Sequence, residues 1–389
     1  MNQVKFGIIG IGNMGSAHVN NVSQLSNCRL TAVCDINPDA FLRIKDEKLR
    51  VSLAKFTDSE TFFREADVDV VMIAVPHYSH PDLAIRAMEC GKHIIVEKPI
   101  AVHKAEAERM IAEAKKYPDL KKSAMFNQRT IPAHRKIKQM IDSGELGVIR
   151  RVNWIITDWF RTQCYYDSGD WRASWRGEGG GVLLNQCPHQ LDLMQWFFGL
   201  PVLVRAAAKF GKYHDIEVED EVNAYLEYAD GKVGNFIAST GELPGTNRLE
   251  ITAERGRLVY ENGKIEFRRN EMETSVFCKT AELAFGLPDV WECSVPAAGF
   301  NLYQHRDIIE NVANAVLHGT PLIAPMEEGI RALELGNAML LSGLKNEPVT
   351  LPLDSAEYAA RLAKLAETSR YQKKTAKTGR DNSGFQSSF

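Results

Sequence analysis

A chain of 389 residues is too long for one ordinary hydrophobic core and long enough for two, at roughly 100–200 residues per domain. Apolar residues make up 44% and charged residues 25%, the balance of a soluble globular protein rather than a disordered one. A net charge of −3 argues against nucleic acid as a partner, and no apolar run approaches the roughly 18 residues that span a bilayer, which argues against a membrane.

The N-terminus, MNQVKFGIIGIGNMG, runs from a short apolar stretch straight into a glycine turn, with no signal-peptide h-region or cleavage site. With seven cysteines standing singly and no CxxC pair, a cytoplasmic location with reduced thiols is expected. The first third then alternates β-branched runs (VKFGIIG, RLTAVCD, VDVVMIAVP, HIIVEKP, KSAMFN) with helical stretches, which predicts a parallel sheet covered on both faces. The middle changes period. RRVNWIITDWF, LVRAAAKFG, DEVNAYLEYADGKVGNFIAST, NRLEITAERGRLVYEN and KIEFRR alternate inward and outward residues and are joined by turns such as DGK and NGK, which predicts a half-buried, mainly antiparallel sheet. Helices at GGGVLLNQCPHQLDLMQWFFG and LYQHRDIIENVANAVLHG are expected to cover one face of that sheet. Helical periodicity from Pro325 to Lys345 and again from Ser355 to Thr368 precedes a polar tail that is expected to be mobile unless a partner subunit orders it.

Gly10, Gly12 and Gly15 form a GxGxxG between an apolar strand and a helix, and Asp35 follows the third glycine by 20 residues at the end of the next strand. Strand, turn, helix, strand and acid in that order make a dinucleotide fingerprint: the glycines allow a tight turn and close approach of pyrophosphate to the positive helix end. Asp35 in that position accepts from ribose hydroxyls and repels a 2′-phosphate, so NAD is expected rather than NADP.

Glu97-Lys98-Pro99 ends a buried strand at the edge where ligands bind in an open α/β sheet, which aims the Lys98 cation into the cleft. Further on, Gly179, Gly180 and Gly181 let the backbone approach something closely, and Asn185 stands four residues before His189. Pro188 either kinks a helix running from Gly181 or occupies the first turn of a new one, which would set His189 by a positive helix end that favours neutral imidazole. The preceding stretch interleaves Tyr165, Tyr166, Trp171 and Trp175 with Arg161 and Arg172, side chains of the kind that stack on sugar rings and hydrogen-bond their hydroxyls. Asp192, one turn past His189, either touches substrate or caps a neighbouring group. His77 and His80 stand three apart on a loop with no third ligand near in sequence, so no metal site is expected.

GIGNMG, VPHYSH, EKP, the FNQR that ends at Arg129 and the Gly-rich helix fall in one order along most of the chain. In this the sequence resembles the Gfo/Idh/MocA family, the glucose-fructose oxidoreductase and inositol dehydrogenase group of sugar and polyol dehydrogenases. The resemblance implies hydride transfer between a carbohydrate carbinol and NAD. The cofactor would lie along Gly10, Gly12, Asn13, Met14, Gly15, Asp35, Ile36, Val75, Pro76, His77, His80, Glu97, Lys98, Pro99 and Asn127. Lys98 would steady the developing alkoxide and His189 would take the proton. Many members carry aspartate where this chain has Asn185, an amide that cannot act as a base and is left to orient a substrate hydroxyl. The same resemblance admits a second activity, glycoside cleavage through transient oxidation by retained NAD, and a third reading is a non-catalytic NAD-binding regulator.

The expected organisation is α/β throughout: a Rossmann domain over 1–127, a substrate and oligomerisation domain over 128–368, and the tail over 369–389. Trp154 and Phe236 are expected on an exposed apolar sheet face that pairs subunits into a homodimer or homotetramer.

Overall fold

The structure, a computed structural model, describes residues 3–297, 301 and 303–372. Its N-terminal part is a doubly wound layer: β1 (Val4–Ile9), α1 (Asn13–Ser23), β2 (Cys28–Cys34), α2 (Glu47–Ser52), β3 (Ala54–Phe56), α3 (Ser59–Glu65), β4 (Val70–Ile73), α4 (His80–Glu89), β5 (His93–Val96), α5 (Lys104–Ala114) and β6 (Lys122–Ala124). The six strands lie in the order β3-β2-β1-β4-β5-β6, all parallel, with Phe6 opposite both Leu30 and Val70. The order reverses at β1, so the carboxyl ends of β1 and β4 open a crevice there, the usual ligand position in such a sheet. β4 is buried along its whole length, as a strand covered by helices on both faces must be.

The chain continues through α6 (Pro132–Asp142), β7 (Ile149–Ile156), α7 (Gln163–Asp167), α8 (Val182–Asn185), α9 (Pro188–Phe198), β8 (Leu203–Phe210), β9 (Glu219–Glu227), β10 (Val233–Ser239), β11 (Asn247–Ala253), β12 (Gly256–Glu261), β13 (Lys264–Asn270), α10 (Thr274–Thr280) and β14 (Val290–Val295). It closes with α11 (Gln304–His318), α12 (Gly329–Lys345), β15 (Val349–Thr350) and α13 (Ser355–Thr368). The second sheet has nine strands in the order β14-β13-β12-β11-β7-β10-β9-β8-β15. It is antiparallel except where β7 meets β10 in parallel, because the β9–β10 hairpin inserts beside the first strand of the sheet. The NGK turn between β12 and β13 places both Asn262 and Gly263 at positive φ, the type I′ geometry a two-residue hairpin favours.

Two expectations need correction. Trp154 and Phe236 are buried on the helix-covered face, where Trp154 stacks on Phe197 of α9 with ring centroids 6.4 Å apart. Alternation separates two faces but does not say which one meets the helices. The helix at LYQHRDIIENVANAVLHG, α11, packs on α1 and β1 of the parallel layer, and it is α9 and α12 that cover the second sheet. The short β3, β14 and β15 escape sequence reading because two or three residues, or a half-exposed edge, carry too little hydrophobic alternation. Of the polar tail, residues 369–372 are described, with Ser369 donating to Glu217 at 2.6 Å, and the rest lies outside the described residues. Among the described residues no helix is long and apolar enough to cross a membrane.

Candidate active site

The glycine turn after β1 is dictated by clearance. Gly10 has φ +91°, and a side chain there would strike the Ala74 carbonyl; a Cβ on Gly15 would stand 1.8 Å from the Gly10 carbonyl oxygen. Gly12 differs: among the described residues nothing lies within 4 Å of the position its Cβ would take, immediately before the first turn of α1. That open space beside free helix N–H groups is the room a pyrophosphate needs, so the residues present fit a dinucleotide. Asp35, at the end of β2, accepts the Ile11 N–H at 2.7 Å and the Asn37 N–H at 2.9 Å, which fixes its carboxylate at the rim with lone pairs left for ribose hydroxyls.

From this turn a cleft of about 750 Å³ runs across to the second sheet. Of the residues expected at the cofactor, Gly10, Gly12, Asn13, Met14, Asp35, Ile36, Val75, Pro76, His77, His80, Glu97 and Lys98 line it. Gly15 sits beneath the turn, Pro99 is buried with its carbonyl accepting from His80, and Asn127 is buried with its amide donating to Gln304 at 3.0 Å; none of the three lines the cleft. His77 packs edge-on to Trp171 with centroids 4.9 Å apart, and both ring nitrogens of His80 face carbonyl oxygens, of Pro99 and Val75. Among the described residues no group of three or more His, Cys, Asp or Glu is placed to hold a metal ion.

Lys98 leaves the end of β5 and donates from Nζ to the Asn185 backbone carbonyl at 2.9 Å. Burial pulls its ammonium down to about 8; Glu97 opposes this, and the positive charges of Arg172 and Arg161 add to it. Glu97 is anchored from below by His18, Nε2 to Oε1 at 2.6 Å, and its other oxygen accepts the Lys98 N–H. Burial alone would raise the Glu97 carboxyl, but the His18 hydrogen bond and the neighbouring His18, His305 and Lys98 charges outweigh it and hold it at about 2.

His189 stands one residue inside α9, with Pro188 at the first helical position, so the proline starts a new helix rather than kinking an old one. The ring is buried, its Nδ1 has no partner among the described residues, and burial followed by the Lys98 and His305 charges pushes its pKa well below the usual imidazole value. It is therefore neutral at pH 7 and able to accept a proton. The three glycines before it serve the frame. Gly179 at φ +85° lies against Val102, and Gly181 against the backbone of Glu219, whose buried carboxylate accepts the Gly181 and Leu183 N–H groups at 2.8 and 3.1 Å.

Arg161, Tyr165, Trp171, Arg172 and Asn185 line the same cleft. Tyr165 lies under both guanidinium groups, at 5.0 Å for Arg161 and 4.5 Å for Arg172, and its hydroxyl donates to Asn185 Oδ1 at 3.2 Å. The Asn185 amide nitrogen donates to the buried Glu178 carboxylate, which turns its oxygen toward Tyr165. Three expected substrate contacts stand behind the wall instead. Tyr166 is buried with its hydroxyl on Thr240, Trp175 packs on Phe210, and Asp192 is locked in a buried ion pair with Arg129 at 2.6 Å. Aromatic interleaving marks the segment but not which rings face in. Sequence reading also passed over Trp159, Glu178 and Gln186; Gln186 was legible only as a polar residue between Asn185 and the helix start.

Residues 4–121 match the family described as an oxidoreductase family with an NAD-binding Rossmann fold, and residues 134–259 match the Gfo/Idh/MocA C-terminal domain. The chain belongs to the Gfo/Idh/MocA family. It is thus an oxidoreductase whose N-terminal layer is an NAD-binding Rossmann fold. Among Gfo/Idh/MocA relatives, the oxidoreductase P35 of Formosa agariphila is 30% identical over 66% of this chain and 79% of its own length. Myo-inositol 2-dehydrogenase of Thermotoga maritima is 26% identical over 86% of this chain and 95% of its own. The WlbA dehydrogenase of Chromobacterium violaceum, solved in complex with NADH and UDP-GlcNAcA, superposes with a TM-score of 0.76 at 25% identity, covering 91% of this chain and 97% of that one.

Proposed function

We propose that the protein is an NAD-dependent dehydrogenase that oxidises a secondary ring hydroxyl of a sugar, glycoside or cyclitol to a ketone. The observation that carries this reading is the convergence of Lys98, on the Rossmann side, with His189, on the helix facing it, in the cleft that the glycine turn opens. NAD supplies the hydride acceptor. Lys98, held by the Asn185 carbonyl, points an N–H donor at the reacting oxygen and stabilises the charge that develops as the proton leaves. His189, neutral and with a bare Nδ1, takes that proton. Asn185 takes no proton. Glu178 engages its NH₂ and the Tyr165 hydroxyl donates to its oxygen, so it is a fixed amide that orients a neighbouring substrate hydroxyl through the Tyr165 it holds. Arg172, Trp171 and Tyr165 grip the ring rather than a chain end, which favours a ring carbinol such as C3 of a pyranose over an anomeric carbon.

The reading includes a cytoplasmic location and a homodimer or homotetramer built on the open face of the second sheet, where Ile155, Ile237 and Tyr225 point outward. A panel of sugars, glycosides and inositols assayed for NAD reduction tests the activity: net NADH formation with at least one is expected, and none with any would overturn it. Glucose, 3-deoxyglucose and methyl glucoside test the position. Oxidation of 3-deoxyglucose as fast as glucose, or loss of activity on methyl glucoside, rules out C3.

A further inference from the structure

The sugar half of the cleft is unevenly charged. Lys98 faces Glu97, and Arg172 has Glu178 at 3.7 Å, but among the described residues Arg161 makes no ion pair within 4.0 Å of a carboxylate. Asp158, its nearest acid in sequence, accepts from Asn247 at 3.1 Å and meets the Arg161 charge only beyond ion-pair distance. Arg161 is nonetheless fixed. Its backbone N–H donates to Thr240 at 2.9 Å, its carbonyl faces His214 Nε2 at 2.8 Å, and its guanidinium lies over the Trp159 and Tyr165 rings at 5.4 and 5.0 Å.

Two buried donors on this short stretch, Arg161 Nε and the indole Trp159 Nε1, have no acceptor among the described residues. Buried donors are nearly always paired, and both of these residues line the cleft. Gln186 adjoins them through Tyr165, the ring under Arg161: its amide donates to the Tyr165 hydroxyl at 3.1 Å, and its Oε1 is a buried acceptor with no donor among the described residues. This part of the cleft thus offers hydrogens and a guanidinium without an ion pair within 4.0 Å, and beside them a lone pair suited to a hydroxyl. A neutral ring satisfies the lone pair and leaves the Arg161 guanidinium without an ion-pair partner.

We infer that the substrate is an anionic sugar or cyclitol, whose oxyanion, a carboxylate or a phosphate, sits on Arg161 Nε and Trp159 Nε1 while its hydroxyls meet Gln186 and the Lys98–His189 pair. The inference rests on the reading of the cleft as a carbohydrate site. It names the feature that would separate this chain's substrate from plain hexoses and inositols.

Titration calorimetry on the NAD-loaded protein with glucuronate, glucose 6-phosphate and glucose tests it, the first two separating the sources of the oxyanion. One anion is expected to bind at least about tenfold tighter than glucose, on the scale of one charge-assisted hydrogen bond, and to weaken as salt rises from roughly 50 to 500 mM. Arg161→Gln is expected to weaken that anion at least about tenfold more than it weakens glucose, Arg161→Lys to restore part of the loss, and Trp159→Phe to cost less than Arg161→Gln. Equal affinity for glucose and both anions, no binding of either anion, or an Arg161→Gln loss that is the same for all three ligands overturns the proposal. NADH release in the same mixtures keeps the two readings apart. Arg161-dependent anion binding without any NADH would sink the dehydrogenase and leave the anion site standing, whereas turnover of glucose with no anion preference would do the reverse.

Discussion

The two halves of the cleft are built by different means. At the nucleotide end the contacts come from backbone and from absent side chains: a turn that only glycine fits, a helix end, and one carboxylate tied to two N–H groups. At the sugar end they come from long side chains gathered from the exit of β7, α7, the loop before α8 and the start of α9, each held by another side chain. A backbone-built site tolerates little change and serves one common ligand. A side-chain-built site can be respecified by a few substitutions while its frame persists.

That contrast sets out how the halves should fail. Lys98→Ala and His189→Ala are expected to lower kcat by about 100-fold or more each while NAD affinity stays near normal, read by steady-state kinetics beside calorimetry; near-normal turnover in either variant removes that residue from the reacting pair.

Acid should act through packing beneath the sugar end. His134 is buried between Phe197 and Tyr260 with Nδ1 on the Gln128 carbonyl, and burial lowers its pKa from 6.5 to about 4. Between those values the unfolded chain binds a proton that the folded chain refuses, so stability present above pH 6.5 falls as pH drops toward 4, by at most about 3 kcal/mol. Urea melts at several pH values check this, and His134→Asn should flatten the slope; an unchanged slope assigns the acid sensitivity elsewhere.

Two glycines separate folding from binding at the nucleotide end. Gly15→Ala collides with the Gly10 carbonyl and should lower the melting temperature, whereas Gly12→Ala meets no atom of the described residues and should leave it unchanged while weakening NAD by about tenfold or more. Equal melting losses in the two variants would mean that the turn around Gly12 is not the open cradle described above. The smallest effect belongs to Asp35→Ser, which should narrow the preference for NAD over NADP by severalfold; tighter binding of NADP by the unmodified protein would already contradict the role given to Asp35.

The same contrast decides what was legible in the sequence. Gly10, Gly12, Gly15 and Asp35 could be read because their partners are fixed by local spacing within one βαβ unit. Lys98 was readable because strand burial aims the residue after it. For Tyr166, Trp175 and Asp192 the sequence showed residue types suited to sugars, but their direction depends on Thr240, Phe210 and Arg129, which lie 35 to 74 positions away in the chain. Gln186 and Trp159 were missed for the same reason. Their significance is an atom left without a partner, a property of the packed molecule and not of any local pattern. Trp154 and Phe236 show the limit for sheets, since alternation cannot name the face that the helices choose.

The outer edge of the Rossmann sheet is closed by the far end of the chain. Ala124 donates its N–H to the Ala324 carbonyl, the Ser123 hydroxyl donates to the same oxygen at 2.9 Å, and Ser123 bridges Pro325. During synthesis β6 therefore emerges with its hydrogen-bonding edge bare and stays so until a segment 201 residues later has been made, on the order of 10 to 40 s at typical elongation rates. α1 waits longer still for α11, whose first residue follows the last of α1 by 281 positions. The nucleotide domain that looks self-sufficient in sequence is, on the ribosome, an unfinished sheet with an open strand, and chaperone capture or strand exchange between nascent chains is the hazard this architecture carries until its last third arrives.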